Sequence, residues 1–305
     1  MPATLARLLV VIGILAPVGV VAQQPSTTTS ARSSVTFSKD IAPILQRACQ
    51  NCHRPGSIAP MSLLTYRDAR PWARSIKQKV SQREMPPWFV EKNIGIRKFK
   101  NDVSLTDQEI ATIVEWVDNG VPEGDPTDMP ASRQFADFNT WHIGKPDLIV
   151  TTPKEYSVAP NAPDQWVDYY VDPGLTEDRY IKLVSFQPHM HSRGKRQCIE
   201  AIYPDGRHEI LNCAKVNFGW AIAYLYADDA APLLPAGSML HVINWHDNSS
   251  ANRVNPEPRN WVGNGNRTVD EMSFSWVDYV ALSEDEYNQG VAARLAARQA
   301  STNQQ

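Results

Sequence analysis

Two cysteines and a histidine stand close together near the start of the chain, as Cys49-Gln50-Asn51-Cys52-His53. Two thiols at this spacing can add to the two vinyl groups of one porphyrin, and the adjacent histidine is then delivered to the iron. A thioredoxin-like redox pair and half of a zinc site are the alternatives. Neither is favoured, because no βαβ pattern surrounds the motif and the sequence holds no second C-x-x-C. The motif predicts one covalently attached haem c.

A methionine is expected as the sixth ligand of that haem iron. Met85 precedes two prolines and Trp88, and a loop stiffened by proline can hold a thioether against the metal. Met61, which follows a proline, is the alternative ligand. Ligation by histidine and methionine raises the reduction potential and favours electron transfer over oxygen binding. Trp88 is expected to pack beside the porphyrin.

A second group of possible ligands is the His189-Met190-His191 triplet. On a strand, residues two apart face the same side, so both imidazoles can converge on one metal ion. Two separate surface histidines are the alternative interpretation. Arg193 and Lys195 follow the triplet; they could bind an anionic substrate but are more typical of solvated loop charges.

The remaining two cysteines are predicted to form a cross-strand disulfide. Asp205-Gly206 favours a two-residue hairpin turn. Cys198 and Cys213 each lie seven residues from that turn, so the two strands place them opposite each other, within disulfide range. The alternative is a pair of free buried thiols.

Helices are predicted on both sides of the haem motif. Apolar residues recur at helical spacing over 39–50 and over 106–119. The second helix begins with a capping box formed by Thr106 and Glu109. This pair of helices resembles the crossing helices of cytochrome c domains, and the resemblance covers roughly residues 35–124.

Beyond a linker rich in proline and acidic residues, the pattern changes to that of β-strands. Short runs rich in β-branched and aromatic residues alternate with turn-forming clusters, which indicates an antiparallel sandwich or barrel. The runs lie at 148–152, 166–171, 180–186, 222–226, 239–245 and 272–282.

This second region resembles the copper type II, ascorbate-dependent monooxygenases, the family of peptidylglycine α-hydroxylating and dopamine β-monooxygenases. The resemblance covers about residues 145–285. It rests on Pro-His-Met-His-Ser-Arg-Gly-Lys at 188–195, Asp-Glu-Met at 270–272, Trp-His-Asp-Asn-Ser at 245–249 and Asn-Pro-Glu-Pro at 255–258. The last two motifs are similar to those of bacterial relatives fused to cytochrome c.

The resemblance implies a jelly-roll-like sandwich in which His189, His191 and Met272 bind the copper that activates oxygen. The chemistry agrees, since imidazole suits copper and a thioether favours Cu(I). Met272 could instead be a core residue of a strand. His246 could be an additional ligand, a partner of a ligand, or a brace for its loop together with Asp247.

The chain departs from this family in one respect. Full-length members carry another copper domain with two adjacent histidines, and this sequence has no His-His pair. The electron-delivering copper domain is therefore expected to be absent or reduced. One hypothesis is an oxidoreductase in which the haem feeds electrons to copper for O2-dependent hydroxylation. The alternative is a non-catalytic c-type electron carrier whose β-sandwich is a binding module.

Composition and the N-terminal segment suggest where the protein works. The 305 residues carry a net charge of -3, which gives no reason to expect nucleic acid or an anionic membrane as partner. The first residues have a basic start, a short apolar run and small residues at a cleavage site, as in a secretory signal. We therefore expect a periplasmic or secreted protein without a membrane span after signal removal. Its partners would be an external electron donor or acceptor protein, a small organic substrate and O2.

The expected order along the chain is an all-α haem domain followed by an all-β domain. The segments are a signal peptide at 1–22, a flexible leader at 23–35, a cytochrome c-like domain at 36–124, a linker at 125–145, the β-sandwich at 146–285 and a tail at 286–305.

Overall fold

The first half of the chain is helical where its apolar residues recur at helical spacing. In this computed structural model, which describes residues 35–135 and 180–302, a π-helical turn leads into α1, so the helix predicted over 39–50 is confirmed. The helical elements are the π turn Phe37–Ile41, α1 Ala42–Ala48, α2 Tyr66–Ala69, a 3-10 turn Arg70–Trp72, α3 Ala73–Ser81, α4 Asp107–Asp118 and a 3-10 turn Pro126–Asp128.

The second predicted helix begins as its sequence indicates. The Thr106 hydroxyl accepts from the Glu109 N–H, and the Glu109 carboxylate accepts from the Thr106 N–H, which confirms the capping box. Ile113 and Trp116 on this helix are fully buried, and the Trp116 ring lies 5.8 Å from that of Phe37. The helices therefore share one apolar core.

The second half of the described chain forms two antiparallel sheets. In one, β1 pairs with β4, β5 and β7; in the other, β2 lies between β3 and β6. The strands are β1 Tyr180–Met190, β2 Gly194–Ile202, β3 His208–Lys215, β4 Tyr224–Leu225, β5 Leu233–Leu234, β6 Met239–His246 and β7 Ser273–Leu282. Four of the predicted runs are thereby confirmed, and those at 148–152 and 166–171 lie outside the described residues.

The two sheets share an apolar core. Leu183 and Phe186 of β1, Ile199 of β2 and Leu211 of β3 are buried together in it. Side chains alternate along a strand, so a residue on β1 that is an odd number of positions from Phe186 points to the opposite face. His189, three residues after Phe186, therefore projects away from this core, whereas His191 follows the end of β1.

The hairpin between β2 and β3 carries the predicted disulfide, which is confirmed: Cys198 and Cys213 are direct partners and are bonded. The predicted two-residue turn is wrong. Tyr203 donates its N–H to the carbonyl of Arg207 around a three-residue loop, in which Gly206 adopts a φ of 82°. A β-bulge then shifts the register by one residue and brings the two cysteines opposite each other.

Residues 88–101 leave the helices and lie against the sheets. Val90 forms an antiparallel bridge with Ala214, and Phe99 forms another with Tyr226. We call this segment the arm. It was expected within the haem domain, yet several of its side chains pack against the core between the sheets.

The C-terminal helix α5, Glu284–Thr302, packs beside β1, where the rings of Tyr287 and Tyr180 are 5.0 Å apart. By their contacts, the described residues belong to one compact unit. The predicted signal peptide lies outside the described residues, and the predicted domain boundaries stay predictions. Within 35–135 and 180–302, no helix has the length and apolar character needed to cross a bilayer.

Candidate functional site

The C-x-x-C-H motif directly follows α1 and forms consecutive turns. The N–H groups of Cys52 and His53 both donate to the carbonyl of Cys49, at 3.1 and 2.9 Å. Both thiols are free. Burial raises the pKa of Cys49 to about 12 and also raises that of Cys52, so the thiolate of a redox dithiol is disfavoured here.

The imidazole of His53 has a defined orientation. Its Nδ1 lies 3.3 Å from the backbone oxygen of Met61. A carbonyl can only accept, so Nδ1 carries the proton and the lone pair of Nε2 is left for a metal. Burial lowers the pKa of His53, which favours the neutral form that ligates.

The loop that follows His53 is held by a residue inside the motif. Gln50 is only 2 % exposed, and its amide donates to the carbonyl of Leu63 at 2.9 Å. The Leu63 N–H in turn donates to the carbonyl of His53 at 3.0 Å. No feature of the sequence singles out Gln50, since the motif leaves that position variable.

Met85 lies just after α3 and before the arm. Its N–H donates to the carbonyl of Lys79 at 3.3 Å. The ring of Trp88 lies 5.0 Å from that of Tyr224 and 5.6 Å from that of Phe99. Trp88 therefore packs on Phe99 of the arm and on Tyr224 of β4, partners that were not predicted from the sequence. Packing of Trp88 beside a porphyrin stays a prediction.

The pairing of β1 with β7 brings the three predicted copper ligands to one end of a sheet. His189 is the direct partner of Phe274, and the His191 N–H donates to the carbonyl of Met272 at 3.2 Å. His191 directly follows β1 and Met272 directly precedes β7, so this backbone bond places the two residues side by side at the strand ends. The two imidazole centroids are 5.4 Å apart. One ion bonded to nitrogen at about 2 Å can be shared between rings at this separation.

The imidazole of His191 is oriented by a backbone carbonyl, as the imidazole of His53 is. His191 is 3 % exposed, and its Nδ1 lies 3.2 Å from the backbone oxygen of Asp270. The acceptor is again a carbonyl, so Nδ1 is the donor, and a neutral ring in this tautomer has its lone pair on Nε2. Desolvation, and then the proximity of His191, lower the pKa of His189, which favours its neutral form.

A third protein ligand for such an ion has to be sought among other side chains. In the described ranges, no three His, Cys, Asp or Glu side chains are grouped so that they could hold a metal. The thioether of Met272 is a donor type outside that set, and the backbone of this residue is hydrogen-bonded to that of His191. The site is thus two imidazoles with a methionine beside them.

Aromatic rings surround the two imidazoles. The rings of Phe274 and Trp276 lie 4.7 and 5.2 Å from that of His189, and the ring of Phe218 lies 6.0 Å from that of His191. Trp276 is 50 % exposed. Sequence reasoning missed these neighbours, although the alternation of β7 could have placed Phe274 and Trp276 on the face of Met272.

Arg193 is buried, so the expectation of a solvated loop charge is wrong for it. Its Nε donates to Asn248 at 2.9 Å, and its guanidinium also donates to the carbonyl of Val269. Lys195 donates to Asn252 at 2.7 Å. Arg193 thereby ties the loop after β6 to the loop that precedes Met272, because both partners lie on those loops.

His246 pairs with a carboxylate next to the site. Its Nε2 lies 2.9 Å from an oxygen of Glu271, the neighbour of Met272, whereas Asp247 accepts from the N–H of Ser249. His246 therefore contacts Glu271 rather than Asp247, the partner that one of the alternative interpretations gave it. A cavity of about 500 Å³ opens beside this pair and is lined by His246, Asn248, Arg259, Asn260, Trp261, Val262 and Glu271.

Comparison with known proteins finds no relative: no family model, no curated protein and no solved structure matches the chain. We therefore argue function from the residues of this chain.

Proposed function

We propose that the protein is an exported redox protein that carries one haem c and one copper ion. Cys49, Cys52 and His53 would hold the haem; His189, His191 and Met272 would hold the copper. When bound, the haem would supply electrons and the copper would activate O2 to hydroxylate a C–H bond of a small organic substrate. The two sites fit these groups because a backbone carbonyl holds the proton of one imidazole on Nδ1 in each.

At the haem motif, the chain presents what covalent attachment requires. Both thiols are free, and Nε2 of His53 has a lone pair to offer. The carbonyl of Met61 lies on the Nδ1 side of this ring, away from the Nε2 that would bind the iron. Because this contact holds the backbone of Met61 beside the His53 ring itself, it supports Met85 over Met61 as the methionine that would also bind the iron.

At the copper motif, the chain presents two imidazoles 5.4 Å apart, with Met272 hydrogen-bonded through its backbone beside His191. The buried Arg193 and the carbonyl of Asp270 fix the loop and the ring of His191 before any ion binds. Preorganisation of this kind is what a ligand set needs to hold a metal in one geometry. The rings of Phe274 and Trp276 contact the His189 imidazole and so limit its movement.

The finer description of the fold belongs to the same proposal. We infer that residues 36–124 are a cytochrome c-type unit and that residues 146–285 are a jelly-roll-like sandwich of the copper monooxygenase type. The disulfide fits an exported protein, because such bonds persist in oxidising compartments. An external protein would supply the electrons.

The test is the number of haem groups and copper ions per chain, measured on protein matured with its haem and then loaded with copper. The wild type should hold one of each. A His189→Ala, His191→Ala double variant should keep the haem and lose the copper. A matched control is His208→Ala with His241→Ala, two exposed histidines beside Glu200 on the other sheet, which should lose neither.

Copper that is indifferent to the first double variant would contradict the copper site, and a chain without covalent haem would contradict the haem site. Oxygen consumption coupled to a hydroxylated product then separates the oxidoreductase from the non-catalytic carrier. A protein that binds both groups but never yields such a product would be the carrier.

A further inference from the structure

Tyr224 of β4 contacts the chain immediately after the predicted haem ligand Met85. Its hydroxyl accepts a hydrogen bond from the N–H of Phe89 at 3.3 Å. Its ring meets the ring of Trp88 edge to face, with the centroids 5.0 Å apart. Tyr224 itself is buried, at 1 % exposure, in the core between the two sheets. A residue of the β-sheet thus holds both a backbone atom and a side chain of this segment.

The segment between Met85 and Phe89 has little freedom of its own. Met85 is fixed on its N-terminal side, because its N–H donates to the carbonyl of Lys79. Two prolines follow it, and each fixes its own φ near -65°. The position of Met85 therefore depends on where the far end of the segment, at Trp88 and Phe89, is held.

The arm from Phe89 onward is also bound to the other sheet, through β3 and β2. The carbonyl of Phe89 accepts from the N–H of Lys215 at 3.1 Å, and the Glu91 N–H donates to the carbonyl of Cys213 at 2.9 Å. Glu91 also forms an ion pair with Arg196 of β2. These contacts make the β-sheets a firm support for the far end of the segment.

We propose that Tyr224 is a positioning residue that holds Met85 where it can serve as the sixth ligand of the haem, an inference that rests on the proposed function. The strength of axial ligation, and with it the reduction potential of the haem, would then depend on a residue of the β-sheets.

Tyr226 provides a matched control. It is buried to the same degree as Tyr224 and lies in the same aromatic cluster, with its ring 5.5 Å from that of Phe99. Its hydroxyl has no hydrogen-bond partner among the described residues. Tyr224→Phe and Tyr226→Phe each remove one buried oxygen atom, but only Tyr224→Phe removes a bond to the segment that holds Met85.

The experiment uses the full chain with its haem. Added imidazole competes with the methionine for ferric iron, so its apparent affinity reports how firmly the methionine is held. Loss of one hydrogen bond should raise that affinity about fivefold in Tyr224→Phe. The potential of that variant should fall, and its methionine-to-ferric-iron charge-transfer band should weaken. Tyr226→Phe should match the wild type in all three measurements.

Thermal unfolding of both variants checks that neither change merely loosens the fold. A Tyr224→Phe protein with the same imidazole affinity, potential and band as Tyr226→Phe would overturn the inference while leaving the haem proposal intact. A wild-type haem without the methionine band, or a chain without haem, would instead overturn the ligand assignment of the proposed function, and this inference with it.

Discussion

The exchange Gly194→Ala tests whether close packing behind the histidines holds the proposed copper site in shape. A Cβ atom built at Gly194 would lie 2.3 Å from the Cβ of Met190 and 3.1 Å from the carbonyl oxygen of His191. Met190 is 1 % exposed and stands between the two imidazole-bearing residues. Its Cβ cannot rotate away, so the backbone that carries both imidazoles has to move.

The size of the effect follows from these distances. Ordinary contact begins at 3.4 Å, so Met190 and residue 194 must separate by about 1 Å. Overpacking of this kind costs roughly 1–3 kcal/mol of folding free energy. Metal sites tolerate errors of only about 0.5 Å, and each 1.4 kcal/mol of lost binding is about a tenfold loss of affinity. We expect Gly194→Ala to weaken copper binding about tenfold or more.

The assay is urea unfolding of the metal-free protein together with copper titration against a competing chelator. Gly219→Ala is the control, because a Cβ there would meet only the Asn217 side chain, at 3.4 Å. The reasoning would be refuted if Gly194→Ala were as stable as Gly219→Ala and bound copper as tightly. Such a result would mean that the strand end absorbs the extra methyl without moving His189 or His191.

Three further predictions address the haem loop, the disulfide and the tyrosine that supports the arm. Gln50→Leu leaves the carbonyl of Leu63 without its partner and should destabilise the protein by about 1–3 kcal/mol in chemical denaturation; an unchanged midpoint would show that the loop is held by other contacts. Replacing both Cys198 and Cys213 by Ser opens a loop with a sequence separation of 15 and should cost about 3 kcal/mol, measured by the same method against the oxidised wild type. Burial raises the pKa of Tyr224 to about 12 in the folded protein, so its stabilising effect is present below about pH 10 and is lost as pH rises toward 12. Alkaline unfolding should show this loss, and Tyr224→Phe should reduce it; equal pH dependence in both proteins would contradict the assignment.

Features encoded by neighbouring residues could be predicted from the sequence. The capping box at Thr106 and Glu109 depends on two residues three positions apart, and it formed as expected. The strand that carries His189 and the strand that follows Met272 were likewise visible in runs of β-branched and aromatic residues. In each case the deciding interaction lies within one element, so distant parts of the chain had little influence.

The disulfide was predicted correctly although one step of the reasoning was wrong. The turn at Gly206 contains three residues rather than two, which by itself would move Cys198 out of register with Cys213. A bulge in β3 adds a compensating shift of one residue. Neither the loop length nor the bulge has a strong signature in the sequence, because Asp-Gly suits both two- and three-residue hairpin loops.

Features that depend on distant residues could not be predicted. An arginine next to a strand end is typical of a solvated loop, yet the guanidinium of Arg193 donates hydrogen bonds to residues 55 and 76 positions further along the chain. Residues 88–101 follow the haem motif in sequence but pack on the β-sheets. A charge or an apolar run shows that a partner is needed and does not identify that partner, so such placements follow from the tertiary structure alone.

The path of the arm bears on the choice between the two proposed functions. A carrier that is merely joined to a binding module needs only a mobile linker, since domains in one chain commonly move relative to each other. Here residues 88–101 are hydrogen-bonded to both sheets, and Asn101 exchanges side-chain hydrogen bonds with the backbone of Ala223 and Leu225. This arrangement holds the chain next to Met85 in a fixed relation to the strands that lead to His189. A fixed relation matters for electron transfer between two centres and has no evident use in a carrier with an independent binding module, so it favours the oxidoreductase.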